Sequence, residues 1–288
     1  MLQRLIRMIE DPAPSHVFEF SASGIAWASG ETLGFQALPP GTLTVSPVED
    51  NIRDEESVAS ELRKVAGAAG GKKRRPCALI LPDYCGRVTV LDFDSFPSSA
   101  EEQASLVRFR MKKSLPFDSD SAAVSFQAQA ATNGRQEVVV GAISLEILSR
   151  YENVLRRAGF HPGFVTISSL AALELLENAG GVVLAARLSG RVLTVSLLRE
   201  GVLRLARCVE LNGPDFEEAA AVIFPTMAFA EDELGEPIST VWHCGFDEFG
   251  RGWQEAFTVP LQPFQSAWKA PAGQDAGMLG YLKATASV

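Results

Sequence analysis

The side chains that do most catalytic and metal chemistry are few in this 288-residue chain, and they stand far apart. Its histidines are His16, His161 and His243, and its cysteines Cys77, Cys85, Cys208 and Cys244 form no C-x-x-C pair. That dispersion offers no metal-ligand spacing. It supplies neither a Ser/His/Asp order for nucleophilic attack nor paired carboxylates for acid–base work. The cysteines read as small buried hydrophobes of a reducing compartment. Glycine pieces such as GEPIS (235–239) read as turns rather than phosphate loops. A formal net charge of −9 argues against a global attraction to nucleic acid. The chain therefore reads as a binder and not an enzyme, and attention passes to the elements that shape its clefts.

Those elements come as two copies of one pattern. The stretch VFEFSASGIAWAS (17–29) is strand, small-residue turn, strand, and the arrangement returns in VVLAARLSGRVLTVS (182–196). The first copy predicts strands at 17–21, 24–29 and 32–37. After a loop-rich stretch come a helix over 53–66, with Val58, Leu62 and Val65 on one face, and a strand over 77–81. The second predicts strands at 182–188, 191–198 and 202–210, a helix over 215–233 bent or broken at Pro225, and a strand over 239–244. Three strands, helix, strand thus occurs twice at an offset near half the chain, which marks a duplicated domain.

Between the copies lies a block with its own character. A strand over 87–93 precedes Ser99-Ala-Glu-Glu102, a capping-box pattern that opens a helix over 100–114. Pro116 in SLPF (114–117) stops that helix. Strands at 122–131 and 136–143 flank Asn133-Gly134, a type I′ hairpin signal. A helix over 145–158 carries Leu148, Tyr151, Leu155 and Ala158 on one face and stops at Gly159. A strand over 163–167 leads into a helix over 169–178. The basic run GGKKRR (70–75) reads as a solvated loop.

No secretory signal is visible, and the longest uncharged apolar run, 219–230, is too short to span a bilayer. The first ten residues, MLQRLIRMIE, place Leu2, Leu5, Ile6 and Ile9 at helical spacing with Arg4 and Arg7 off that stripe. This is either an interfacial or docking segment, or a terminal helix packed on its own domain.

Two units of this order face each other in the actin, Hsp70 and sugar-kinase architecture. The phrases NIRDEESVASELRKV (51–65), ALILPDY (78–84), FDSFPSSAEEQASLVRFRMKKSLPFD (93–118) and VVVGAISLEILSRYENVLRRAGFHPGFVTISSLAAL (138–173) narrow the choice. With the tail GMLGYLKATAS (277–287), their succession resembles the PilM family, actin-like cytoplasmic components of type IV pilus assembly. The resemblance spans nearly the whole chain. It implies an α/β, actin-like (ASKHA) fold of two ribonuclease-H-like halves, 17–168 and 169–288, after an N-terminal segment, 1–16. It also implies a small α+β subdomain inserted at about 86–131. The second half is too short for the usual adenine-covering subdomain, which is expected to be reduced or missing. The cytoplasmic domain of the secretion protein GspL looks similar but is tethered by its own membrane helix; none is read here, which favours the separate, pilus-type arrangement.

The resemblance also implies a function and a site. Family members hold the cytoplasmic N-terminal tail of an inner-membrane partner, PilN, in a groove, and can hold ATP between the halves. The nucleotide cleft normally starts each hairpin with D-x-G, aspartates for Mg²⁺ and glycines for close phosphate approach. Here those positions read Glu19-Phe20-Ser21 and Arg187-Leu188-Ser189, the family lysine falls on Ala26, and the later turn is His243-Cys244-Gly245-Phe246. In a second register Ser189-Gly190 aligns with Ser23-Gly24. The expected degenerate cleft is Glu19, Ser21, Ser23, Arg187, Ser189, Gly190 and Gly245. A cation at Arg187 costs a nearby metal about 4 kcal/mol per charge pair at ~4 Å and a dielectric near 20. Arg187 and Glu19 are expected to pair across the cleft and help keep it shut, the alternative being two solvent-facing charges.

The expectation is a non-catalytic, cofactor-free cytoplasmic scaffold, peripheral to the inner membrane through its partners. It would bind a PilN-like tail, with PilO-like and pilus motor components further out and no nucleic acid. Helix 100–114 carries more apolar residues than one stripe needs, so Leu106, Phe109, Met111 and Leu115, with Pro82, Tyr84 and Phe117 beside them, are expected to supply the groove unless they are core. The alternative is an ATP-binding, Mg²⁺-using actin-like protein whose nucleotide state regulates pilus assembly, or one in which Arg187 or Arg191 bonds a phosphate without metal.

Overall fold

The computed structural model describes residues 13–66, 74–129, 135–176, 180–213 and 215–286; the N-terminal stripe, most of the GGKKRR run and the Asn133-Gly134 turn lie outside them. The first hairpin pairs β1 (His16–Ser21) with β2 (Gly24–Ser29), Ser21 opposite Gly24, around a two-residue turn. Gly24 is required: a Cβ there would sit 2.3 Å from the Gln36 carbonyl oxygen on β3 (Thr32–Ala37). β1 also pairs in parallel with β4 (Arg75–Leu81), and β4 with β8 (Phe160–Ile167). The resulting order is β3-β2-β1-β4-β8.

The second half repeats this order. β9 (Val182–Ser189), β10 (Val192–Arg199), β11 (Val202–Glu210), β12 (Thr240–Cys244) and β13 (Leu261–Pro263) lie as β11-β10-β9-β12-β13. β9 and β4 are buried on both faces along most of their length because helices or the other lobe cover both sides. In this hairpin Ser189 faces Val192, so Arg187 on β9 holds the place of Glu19 on β1, and the first of the two registers applies.

α1 (Glu55–Ala66) and α3 (Leu145–Arg157) cover the outer face of lobe 1, where α3 buries Ile147, Tyr151, Val154 and Leu155. The short α4 (Ser168–Ala172) is followed by a tight turn through Leu175, less than the helix expected to 178. In lobe 2, α5 (Phe216–Leu234) runs unbroken through Pro225, Thr226 Oγ1 donating to the Val222 carbonyl at 2.7 Å, and α6 (Gly250–Glu255) packs nearby. The C-terminal α7 (Ala276–Ala286) lies on α4 so closely that a Cβ at Gly280 would meet the Ala171 carbonyl oxygen at 2.0 Å. A buried apolar cluster shared by both lobes, including Ile80, Ala171, Ala185, Trp242 and Leu279, forms around this crossing.

The inserted subdomain comprises β5 (Gly86–Phe93), α2 (Ala100–Met111), β6 (Ala122–Ala128) and β7 (Gln136–Ser144) in the sheet order β5-β7-β6. It extends to Ser144 rather than 131, because β7 is its central strand and bonds to both neighbours. α2 opens after Ser99 as expected, but the capping bond itself is not made; nearby, the Gln103 side-chain amide donates to the Pro97 carbonyl at 2.7 Å. α2 ends at Met111, where the Ser114 backbone folds back to the Met111 carbonyl at 2.9 Å.

Candidate functional site

The C-terminal ends of β1, β4 and β9 converge between the lobes on a buried polar network. Arg187 reaches across from lobe 2, its Nη1 donating to Asp83 Oδ2 at 2.5 Å and its Nη2 to Glu19 Oε1 at 3.2 Å. Each acid is held by further donors. Glu19 accepts from Ser168 Oγ and, at 2.6 Å, from the Met278 N–H; Asp83 accepts from Thr194 Oγ1 at 2.7 Å and the Ser169 N–H at 2.7 Å. Arg187 and Thr194 belong to lobe 2 and Glu19 and Asp83 to lobe 1, while Ser168, Ser169 and Met278 come from α4 and α7, the helix pair packed on the lobe 1 sheet. The lobes are thus joined by charge-assisted bonds between buried side chains.

Burial pushes the Glu19 carboxyl up to about 7, against the pull of Arg187, Ser168 and the Met278 N–H. Burial alone would lower Arg187, but Asp83 and Glu19 outweigh it and raise the guanidinium, so it stays charged. One cation then serves two acids, and Arg187 Nε is buried without a partner among the described residues. The expected Glu19–Arg187 pair is present. Asp83 is the member that sequence reasoning missed; its signal was a lone acid directly after a buried strand and a proline, in ILPDY.

In front of this network lies an interlobe cavity of about 710 Å³, lined by Ser21, Ser23, Pro82, Ser189, Gly190 and Arg191 among others. Gly245 is not among its lining residues. Its φ of +83° and a Cβ clearance of 2.0 Å from the Leu188 carbonyl oxygen show a packing role, and Phe246 beyond it stacks on Trp253 at 4.0 Å inside lobe 2. The donor set does not fit Mg²⁺. Both carboxylates at the metal-organising end are engaged by Arg187, and a divalent ion would have to displace a guanidinium at hydrogen-bond distance. Among the described residues no cluster of His, Cys, Asp and Glu has the geometry to hold a metal. Burial pushes the Cys77, Cys208 and Cys244 thiols up to about 12, leaving them inert near neutral pH.

A second concavity, of about 240 Å³, opens on the other side of lobe 1. Its walls are β8 and β6, the outer strands of their respective sheets. Leu81, Val124, Phe126, Val139, Phe164 and Val165 give it an apolar lining, with Val165 exposed. β6 is carried on a subdomain tied to lobe 2: the Gln129 side chain exchanges two hydrogen bonds with the Leu203 backbone, at 2.7 and 3.2 Å, and Arg204 pairs with Glu137.

The residues expected to form a groove do not gather there. Met111 is fully buried and Leu106, Leu115 and Phe117 pack in the subdomain core, because α2 lays that face on β5-β7-β6. Phe109 points outward, 74% exposed. Pro82 borders the interlobe cavity, and Tyr84 lines a separate depression with Arg87, Pro116 and Cys208. The apolar groove was hidden in the sequence because its walls come from β6 and β8, which meet only in three dimensions.

No family model matches the sequence, and no curated protein is similar enough to match it. Solved structures do match. A chain of a PilM–PilN type IV pilus biogenesis complex aligns with TM-score 0.72 and 17% identity over 96% of this chain and 99% of that one. The cytoplasmic domain of EpsL, an inner-membrane component of the type II secretion system of Vibrio cholerae, aligns with TM-score 0.50 and 14% identity over 95% and 94%. A Bacteroides thetaiotaomicron protein of actin-like ATPase fold and unknown function aligns with TM-score 0.50 and 13% identity over 92% and 94%. The fold is actin-like, two ribonuclease-H-like sheets with an inserted subdomain.

Proposed function

We propose that this chain is a non-catalytic scaffold of a type IV pilus or related secretion assembly, and that it holds the cytoplasmic tail of a PilN-like inner-membrane protein. The observation that carries the reading is the groove between β6 and β8: apolar walls, and two outer strands whose free backbone groups can pair with an extended peptide. The likeness to a chain from a PilM–PilN complex supports this choice of occupant. The protein would sit at the cytoplasmic face of the inner membrane, with PilO-like and motor components reached through the tail's owner. No helix among the described residues is long and apolar enough to cross a membrane.

The interlobe network supports the absence of catalysis, since it uses the acids that would organise a metal and ties the lobes together. A second reading, a nucleotide-binding regulator, draws on the cavity beside Ser21, Ser189 and Arg191. Calorimetric titration separates the two. A PilN-like tail peptide is expected to bind the wild-type chain and to lose about thirtyfold in affinity, roughly 2 kcal/mol, with Val165→Asp or Val124→Asp. ATP with or without Mg²⁺ is expected to give no heat. Tail binding indifferent to both substitutions would sink the groove, and saturable ATP binding would sink the non-nucleotide reading.

A further inference from the structure

α5 departs from α1, α2 and α3 in two ways. Those three each carry acids in the first turn and arginine or lysine in the last, as the helix dipole favours. α5 opens on Glu217 and Glu218 but closes on Glu231, Asp232 and Glu233, with no base in its last turn. Three exposed carboxylates thus stand at the negative end of the helix, where the dipole opposes them. Among the described residues none of the three is in an ion pair: Arg199 pairs with Glu236 just past the helix, and Arg207 donates to Thr226 Oγ1 at 3.3 Å.

The second departure lies between those ends. From Ala219 to Ala230 the helix has no charged residue, a length of about 18 Å. Ala219, Ala220, Ile223, Thr226 and Ala230 are buried against lobe 2. The opposite side is Ala221, Phe224, Pro225, Ala228 and Phe229, all exposed, the two phenylalanines at 39% and 40%. At about 100° per residue Ala221, Pro225 and Ala228 form the middle of that side, with Phe224 and Phe229 as its rims. The Phe224 ring is braced by Phe257, 5.4 Å away between centres. Pro225 has no N–H, so the Ala221 carbonyl on this side lacks its intrahelical donor. A surface helix ordinarily turns polar residues outward, and one apolar all round is ordinarily covered on both sides.

The acids decide what can cover this face. An anionic bilayer would repel the carboxylates at both of its ends. A second copy laid face to face would set Glu231, Asp232 and Glu233 against Glu217 and Glu218 in one direction and against themselves in the other. A helix with an apolar stripe flanked by lysine or arginine fits both features. Its stripe enters the trough between Phe224 and Phe229, and its cations meet the acids that lack partners.

We propose that the outer face of α5 is a docking surface for a cationic amphipathic helix of a protein partner. The apolar stretch accommodates about three turns of such a helix. One helix face offers less area than a standard interface, so the complex is a transient one of micromolar affinity. The acids at the end of α5 are then held against the helix dipole for the sake of binding. This surface belongs to lobe 2 and stands whether or not the groove between β6 and β8 holds a tail.

Fluorescence anisotropy with the full chain tests the surface, using a labelled helical peptide of about 18 residues with leucine at i, i+3, i+4 and i+7 and lysine elsewhere. Micromolar binding is expected, and binding about tenfold weaker for the same composition in scrambled order. Phe224→Ser with Phe229→Ser should weaken it about tenfold, and Ala228→Arg repeats that test at the exposed centre of the face. Glu231→Lys with Glu233→Lys should also weaken binding about tenfold yet raise the thermal midpoint, because it relieves the opposition to the dipole. Circular dichroism on each variant separates lost binding from lost fold. No binding, equal binding of the scrambled peptide, undiminished binding by these variants, or a lowered midpoint in the lysine variant overturns the proposal. So does a dimer in sedimentation that Phe224→Ser with Phe229→Ser dissociates, which gives the face to a second copy.

Discussion

Lobe 1 contributes to two concavities that are finished in opposite ways. At the C-terminal ends of β1 and β4, Glu19 and Asp83 are buried and bonded to lobe 2 through Arg187 and Thr194, and Glu19 also to the Met278 N–H of α7. At β8 the walls are hydrocarbon and the outer strands of two sheets lie side by side. Buried charges are tolerated only when their partners are fixed, so the first region has little freedom to receive anything else. An apolar groove flanked by strand edges gains from a partner, because water serves its walls poorly and an added strand would complete its backbone bonding. Lobe 1 therefore borders one region whose polar groups are satisfied from within and another whose walls are apolar and whose strands are the outer ones of two sheets.

The comparison breaks most readily at the charge network. Arg187→Met leaves two buried acids without their cation and is expected to cost about 3–5 kcal/mol in urea unfolding. Combining it with Glu19→Gln and Asp83→Asn should recover much of that loss. A single substitution costing under about 1 kcal/mol would show that the network does not join the lobes. In the groove, Val165→Asp should leave unfolding nearly unchanged while weakening tail binding by roughly 2 kcal/mol; a large loss of stability instead would make Val165 core.

Acidity sharpens the contrast. Glu19 has its carboxyl raised from 4.5 to about 7 in the folded chain, so the native state holds a proton that the unfolded state has released. Its contribution is fully present below about 4.5 and is lost as pH rises through 7, on the order of 1 kcal/mol per pH unit. Unfolding free energies across that window should lose this slope in Glu19→Gln, whereas a groove variant should keep it. The same slope in both proteins would refute the assignment. The smallest effect is expected at the tie between subdomain and lobe 2: Gln129→Ala removes two bonds to Leu203 and should cost about 1 kcal/mol. Hydrogen exchange at Leu203 should rise with it, and unchanged protection there would remove Gln129 from the tie.

Much of the architecture could be read along the chain because its signals are local. Small-residue turns gave both hairpins, and period-3.6 stripes gave α1 and α3. The repeated order of strands and helix gave the two lobes, for strand alternation and helix faces follow from backbone geometry within a few residues. Pro225 does not break its helix, since a helix held by lobe 2 packing can absorb one missing bond. The capping-box pattern marked the helix start at Ser99, although Ser99 makes no side-chain cap bond.

The residue types at Glu19 and Arg187 were set by sequence, which left two hairpin registers open; strand pairing chose the one that makes them equivalent. Their meeting, the recruitment of Asp83 and the placing of the groove between β6 and β8 were settled by tertiary structure alone. These contacts join positions as distant as Glu19 and Met278, and their energies depend on burial and distance. Only the folded arrangement of two lobes and an inserted sheet fixes those quantities.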